Sequence, residues 1–361
     1  MSEDVPRIVL GHGPLEVSRV VFGSMPQGRQ LESDRIRTIQ AAVERGITTI
    51  DTAPLYGFGE GERLVGRAIR GKRDRVEILT KVGLRWDSDH GETLFEFTDA
   101  SGLRRAVRRD SRPESIRRDV EESLARLETD RIDLCQIHHP DPDTPLAESL
   151  GTLVELVTEG KVRAIGVSNF RADALEETIR FLDAPGRPGL ASDQLEYNLI
   201  HRAAEDEIFP LVRETGIGVL AYSPLDAGLL AGRLLGPDPR PLDGRSGRSG
   251  FHPDNARRVN EVLRSVVEPV ARAKGMTLAQ VCLAVLLHRD EVSAVIAGAS
   301  AVEQVTANAA AAGARLDEDE VAAIRAAFSR IRIDPKSGES RSVRLRKRLR
   351  RVLRRGRRLL R

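Results

Sequence analysis

At 361 residues the chain is long enough for one barrel-sized domain or two ordinary ones, and its 40% hydrophobic, 4% aromatic composition suits a core of aliphatic side chains. Its two cysteines, Cys135 and Cys282, lie inside apolar segments, which implies no disulfide framework and a reducing, cytoplasmic setting. The net charge of +3 is unevenly spread: residues 341–361 hold 12 Arg and Lys and no acid, leaving 45 basic against 54 acidic residues, a net −9, elsewhere.

No stretch carries the 18 or more apolar residues of a membrane span, and residues 1–7 contain no signal-peptide run. Residues 8–20 are apolar on both sides of a glycine-rich turn and predict a β-hairpin. Apolar, β-branched runs then predict strands near 20–24, 47–51, 76–81, 131–137, 162–167, 190–194, 217–222 and 292–297. Amphipathic periods predict helices near 33–45, 60–71, 114–127, 145–159, 171–182 and 204–215, and a helical stretch over 255–288 split by Gly275. Strands alternating with helices make a parallel α/β sheet. Eight strands favour a closed (β/α)8 barrel, and no Gly-x-Gly-x-x-Gly opens a helix after the first strand, which argues against a dinucleotide-binding doubly wound sheet.

Chemistry-bearing residues recur at strand ends. Ile47-Thr48-Thr49-Ile50 runs into Asp51, and Thr52-Ala53-Pro54 breaks the backbone so that Tyr56 falls on a short loop. Lys81 ends the strand that starts at Val76, and His138 ends the one that starts at Ile132. An acid, a phenol, an ammonium and an imidazole at the same end of three strands form a constellation, whereas each alone would be ordinary.

In these settings Asp51, Tyr56, Lys81 and His138 resemble the catalytic tetrad of the aldo-keto reductase superfamily, nicotinamide-dependent carbonyl reductases and alcohol dehydrogenases built on a (β/α)8 barrel. The run Thr80–Trp86 with the insertion after it is most similar to bacterial reductases of the general-stress type. The resemblance covers about Gly11 to the early 330s. It implies a barrel over residues 1–334 whose floor is closed by the N-terminal hairpin, followed by a basic tail, 335–361.

The resemblance also implies the cofactor site. Gly23 and Ser24 would lie under the nicotinamide, with Met25 as a further neighbour. Ser168, Asn169 and Gln194 would hold its carboxamide, which needs both donors and acceptors. Tyr222 would stack on the ring, Ser223 and Leu225 would approach the pyrophosphate, and Gly228 would continue over the cofactor. Gly298, Ser300, Gln304 and Asn308 would face the adenosine end, at a helix start suited to phosphate. Gly298 and Gln304 stand where a lysine and an arginine often grip the 2′-phosphate, and Ala307 stands where a Glu often lies beside the adenine. NADPH is the expected cofactor, with NADH as the alternative. No metal site is read.

The partner expected is a small carbonyl or alcohol, and no obligate protein partner is inferred. Residues 82–113 are expected to form a long substrate loop. In it Trp86 is either a pocket wall or a plug, while Arg104, Arg105, Arg108 and Arg109 form a solvated basic cluster. His139 is expected beside the substrate. Residues 236–253 are expected to be a mobile surface loop. In the tail, Leu345, Leu349, Val352 and Leu353 fall on one helical face, a pattern that can lie on anionic lipid or nucleic acid, although a disordered solubilising tail is the preferred reading. Two other classes of function remain open here: a slow cofactor-sensing module, and a scaffold recruited through the tail.

Overall fold

Eight apolar strands too short and too hydrophobic to face water on either side close on one another in the computed structural model, which describes residues 5–25, 30–99, 101–236 and 248–334. In chain order the elements are β1 Arg7–Val9, β2 Glu16–Ser18, β3 Val20–Gly23, α1 Glu32–Glu44, β4 Thr49–Asp51, α2 Glu60–Ala68, β5 Glu77–Val82, β6 Leu84–Arg85, β7 Thr93–Thr98 and β8 Arg104–Arg109. There follow α3 Pro113–Leu127, β9 Ile132–Ile137, α4 Leu146–Thr158, β10 Val162–Ser168, α5 Ala172–Leu182, β11 Leu190–Glu196, α6 Ala204–Glu207, α7 Phe209–Thr215 and β12 Gly218–Tyr222. The last are α8 Pro253–Val262, α9 Glu268–Ala273, α10 Leu278–Leu287, β13 Ala294–Gly298, α11 Val302–Ala311 and α12 Glu318–Ser329. Strands β3, β4, β5, β9, β10, β11, β12 and β13 pair in parallel in that order, and β13 returns to β3. This is the (β/α)8 barrel.

Its apolar interior comes in two layers. Outward side chains such as Ile50, Ile78, Ile165 and Val295 pack under the helices, and inward ones such as Val21, Leu79, Leu134, Leu220 and Ala294 fill the lower barrel. The β1–β2 hairpin adds Leu10, Leu15 and Val17 to the inner layer and so plugs the floor. The fit there is tight. A Cβ on Gly218 would sit 2.4 Å from Leu10 Cδ1, and one on Gly11 (φ +57°) would sit 2.3 Å from the Ala191 carbonyl oxygen. Above this layer the inward positions turn polar, with Asp51, Lys81, Gln136 and Gln194 all buried.

The segment after Lys81 differs from the loop expected of it. Residues 84–109 contain a three-stranded antiparallel sheet in the order β6–β8–β7. Its arginines and short alternation hid it in the sequence. The turn is held by Asp99, whose carboxylate accepts the N–H groups of Ser101 and Leu103. At the base, Arg85, 2% exposed, donates to Asp119 (2.6 Å) and Asp87 (2.7 Å). The Gly83 N–H also reaches Asp119 (2.8 Å). Burial raises the Asp119 carboxyl to about 6 against the pull of Arg85.

The helix expected over 204–215 is two, because Pro210 supplies no N–H and the chain kinks at Ile208 (φ −112°). The helical stretch near 255–288 runs from Pro253 through a π-turn at Leu263–Val267 to Ala273, then resumes at Leu278 after Gly275 (φ +64°). Of the expected surface loop, 237–247 lies outside the described residues, as does the whole 335–361 tail. No single described helix is long and apolar enough to cross a membrane.

Asp193, on the outward face of β11, is fully buried, and neither carboxylate oxygen meets a well-formed donor among the described residues. Burial raises its pKa to about 8, with the Phe170 N–H pulling the other way. This value lies above the unfolded carboxyl value of about 3.9, so the folded state holds the proton more tightly. The stability that results is fully present below about pH 4 and is lost as pH rises through the folded value. Between pH 7 and 8, above the ordinary histidine range of about 6.5, this group should lower the unfolding free energy by about 1 kcal/mol. Urea denaturation at the two pH values should show that loss in the wild type and not in Asp193→Asn. Equal slopes in both would mean that Asp193 is already ionised.

Candidate active site

The site is assembled where the inward polar layer meets the C-terminal mouth of the barrel, as in other barrels of this kind. β4 delivers Asp51, β5 delivers Lys81, and His138 stands one residue past β9. Between β4 and α2 the chain turns sharply: Gly57, Phe58 and Gly59 all have positive φ. The Tyr56 N–H bonds the Ala53 carbonyl (3.0 Å). Gly61 is required at the next step, since a Cβ there would meet the Tyr56 carbonyl oxygen at 2.8 Å.

Lys81 is the centre of the cluster. Its Nζ, with the residue 0% exposed, donates to both Asp51 oxygens (2.8 and 2.9 Å), to the Thr52 carbonyl (2.9 Å) and to the Tyr56 hydroxyl (3.2 Å). The His138 ring meets the Tyr56 ring edge-on, centroids 6.2 Å apart, and His139 stacks on His138 at 5.4 Å. The structure thus brings all four tetrad residues together, with His139 beside them.

The electrostatics assign protonation states. Burial pulls Lys81 down, but the charge of Asp51 and the hydrogen bonds to Asp51 and Tyr56 outweigh it and hold it above the usual ammonium value. Burial raises the Tyr56 phenol, with Lys81 pulling it back, so the resting phenol is protonated. Burial, then the charges of Lys81 and His139, push His138 well below the ordinary imidazole range. His139 falls to about 4 through burial and the charge of Arg109. Both imidazoles are therefore neutral at neutral pH. A neutral imidazole donates a hydrogen bond but is a poor acid, which leaves Tyr56 as the protonated group beside a cation.

The remaining expected residues ring this cluster. Ser168 Oγ donates to the Gln194 carbonyl (2.8 Å). Asn169, held at φ +62°, donates from Nδ2 to Ser168 Oγ (2.9 Å) and the His138 carbonyl (3.1 Å), and accepts the Tyr222 hydroxyl (2.9 Å). Gln194 turns inward: its Nε2 donates to Asp51 Oδ1 (2.8 Å) and Gln136 Oε1 (3.2 Å). Gly23 ends β3 and Ser24 follows it; the Ser24 N–H bonds the Asp51 carbonyl (2.9 Å), while its buried hydroxyl has no partner among the described residues. Met25 is largely exposed. Tyr222 ends β12 half-buried, and positive φ values at Ser223, Asp226, Ala227 and Gly228 carry the chain past Leu225 across the mouth.

At the far side Gly298 ends β13, and the Gln304 side chain accepts from the Ser300 N–H (2.7 Å) and hydroxyl (3.1 Å). Asn308 is buried on α11. A cleft there is lined by Gln30, Asp34, Arg37, Ser300 and Glu303. Trp86 does not stand alone: it meets Phe58 edge-on (5.3 Å), and Phe58 stacks on Phe97 (4.6 Å), so an aromatic strip joins the Tyr56 turn to the three-stranded sheet. Arg104, Arg105 and Arg109 pair with Glu96, Asp99 and Glu92, and Arg108 donates to the Gly91 carbonyl.

The sequence reading missed Gln136, which shares the inward face of β9 with Leu134 and is fully buried, its Nε2 unpartnered among the described residues. Period-two alternation before His138 was the signal that could have found it. It also missed the Thr52 carbonyl as a lysine acceptor, which no side-chain pattern announces.

The sequence model described as the Aldo/keto reductase family matches residues 19–328. The chain is 34% identical over 330 residues to the NADH-specific methylglyoxal reductase of Escherichia coli K12, covering 88% of this chain and 97% of that protein. Among solved structures, the glycerol dehydrogenase of Gluconobacter oxydans superposes with a TM-score of 0.77 at 33% identity, covering 91% of this chain and 97% of that one. A holo aldo-keto reductase of Bacillus halodurans does so with a TM-score of 0.73 at 29% identity, covering 93% and 100%. The buried lysine at the mouth of the barrel and a match over most of the chain lead to one assignment: the protein belongs to the aldo/keto reductase family and is an oxidoreductase acting on carbonyls.

Proposed function

We propose that the protein interconverts a small polar aldehyde or ketone and its alcohol with Tyr56 as the proton donor and acceptor. The observation that carries this reading is the fully buried Lys81 ammonium, clamped by Asp51 and set 3.2 Å from the Tyr56 hydroxyl. A free phenol, with a pKa near ~10, is a weak acid at neutral pH. As a carbonyl oxygen gains negative charge, Tyr56 delivers its proton, and the phenolate left behind is stabilised by Lys81 at close range in a low-dielectric site. Asp51 keeps Lys81 charged and pointed. Neutral His138 donates a hydrogen bond that orients the substrate oxygen. In the reverse direction the same phenolate takes the alcohol proton.

A bound nicotinamide supplies or accepts the hydride. The residues present fit such a group: the buried Ser24 hydroxyl, unpartnered among the described residues, and the half-buried Tyr222 ring flank the tetrad. Ser168, Asn169 and Gln194 would hold the carboxamide. Ser223, Leu225 and Gly228 would follow the pyrophosphate, with Gly23 leaving room beneath and Gly298, Ser300, Gln304 and Asn308 at the adenosine end. The resemblance favours NADPH, but the charge at that end favours NADH at least equally. Asp34 and Glu303 line the cleft, Arg37 pairs with Asp34 (3.5 Å), and the Ser300 donors are spent on Gln304. The relative named as NADH-specific agrees with this reading, and the relatives named for methylglyoxal and glycerol support a small polar substrate.

Tyr56→Phe should cut kcat by about 10²–10⁴-fold and leave nicotinamide affinity, read by fluorescence titration, within a factor of about two; loss of both together would contradict this division of labour. Ser300→Arg should raise kcat/KM for NADPH relative to NADH by about tenfold, since an arginine placed here adds a charge-assisted bond to a 2′-phosphate. An unchanged ratio would place that phosphate elsewhere.

A further inference from the structure

We propose that Arg109 makes this site selective for anionic carbonyl substrates, aldehydes or ketones carrying a carboxylate or phosphate a few bonds from the reacting carbon. The inference rests on the reading of the site as a carbonyl reductase and names its substrate class.

Arg109 ends β8, and its place is fixed by three backbone bonds. The His138 N–H bonds the Val82 carbonyl (3.0 Å), the Asp110 N–H bonds the Gly83 carbonyl (3.0 Å), and the Arg109 N–H bonds the Glu92 carbonyl (2.9 Å). Arg109 thus stands one residue from a chain that pairs directly with the strand end bearing His138. Alternation along β8 puts it on the same sheet face as Val107, which is fully buried, and opposite Leu84 of β6. In register, Val107 pairs with Phe95 and Arg105 with Phe97, whose ring stacks on Phe58, two residues after Tyr56. That face is turned toward the Tyr56 turn. The Arg109 charge also acts on His139, which stacks on His138.

The guanidinium is only partly used. Nη1 donates to Glu92 (2.8 Å), which is more than half exposed. Nε is buried and has no acceptor among the described residues. A buried donor left unpaired is costly, and Glu92 does not remove that cost because it engages the other side of the group. Nη2 shares that edge and is not engaged by Glu92, so an oxyanion that arrives at Nη2 and settles against the Nε edge satisfies it with a charge-assisted, bidentate contact. Arg104 and Arg105 carry the same charge on the same strand, but they are exposed and each is paired with a neighbouring carboxylate.

The test compares matched substrates under initial-rate conditions with the wild-type enzyme and nicotinamide cofactor: succinic semialdehyde against butanal for a carboxylate, and glyceraldehyde 3-phosphate against glyceraldehyde for a phosphate. The anionic member of at least one pair should have a kcat/KM about tenfold or more above its neutral partner, mainly through KM. Arg109→Leu should bring that ratio close to one, Arg109→Lys should keep part of it, and Arg105→Leu, a charge deletion on the same strand, should leave it unchanged. A wild-type ratio near one in both pairs overturns the inference while leaving carbonyl reduction intact, and so does a ratio that survives Arg109→Leu. If no aldehyde turns over, carbonyl reduction itself fails, and calorimetric binding of 4-hydroxybutyrate to the nicotinamide-loaded protein still decides. Binding weakened about tenfold by Arg109→Leu upholds the anion site, and equal binding overturns it.

Discussion

An ammonium with no access to water has to be surrounded by acceptors or give up its proton. Lys81 is surrounded: a carboxylate, a backbone carbonyl and a phenol take its hydrogens. Much of the molecule answers to that requirement. Asp51 has to leave β4 pointing inward, and Gln194 and Lys81 both hold its carboxylate there. The Thr52 carbonyl has to face the barrel axis, which the Pro54 turn allows. The Tyr56 hydroxyl has to come last to the same nitrogen, which the left-handed run at 57–59 and the absence of a side chain at Gly61 permit. Behind the lysine, Thr80 donates to Glu62 (2.6 Å), itself buried and paired with Arg126, so the neighbouring residue on β5 is pinned to α2 and α3.

The four groups act as one unit. Without Asp51 the lysine would face burial with only neutral acceptors, and its pKa would fall. Without the lysine, burial and the Asp51 charge would both push the Tyr56 phenol further up, with no cation to pull it back. Two neutral histidines stand at the rim, so the cluster holds one cation, one carboxylate, one protonated phenol and two uncharged imidazoles.

The barrel and tetrad were legible because they follow from periodicity and from residue type at strand ends. A buried parallel strand reads as an uninterrupted apolar run, and a charged or hydrogen-bonding residue closing it marks the mouth. The residues expected around the cofactor were named only through the resemblance, since Ser168, Asn169 and Gln194 look like any polar strand end. What escaped did so for physical reasons. The three-stranded sheet over 84–109 is short, charged and half-exposed, so neither hydrophobic run nor clean alternation marks it. Its attachment depends on Arg85 meeting Asp119 across 34 residues, which no local window sees. Gln136 was masked by the apolar company it keeps on β9, and the break at Ile208 by a helical pattern that continues through Pro210.

That sheet leaves and rejoins the barrel at almost one point, because the Gly83 carbonyl and the Asp110 N–H are hydrogen-bonded to each other (3.0 Å). Its buried base at Arg85 and Asp119 is a separate joint on α3. Asp51 and Lys81 therefore sit on the staves of the barrel, with Tyr56 and His138 just past strand ends, while Trp86, Phe97 and Arg109 sit on a graft with a narrow neck. Changes in length or sequence beyond that neck do not reach Lys81 through the backbone. On the roles proposed for Tyr56 and Arg109, descendants of this chain are free to exchange one class of molecule for another by altering residues 86–109 while inheriting the same reaction.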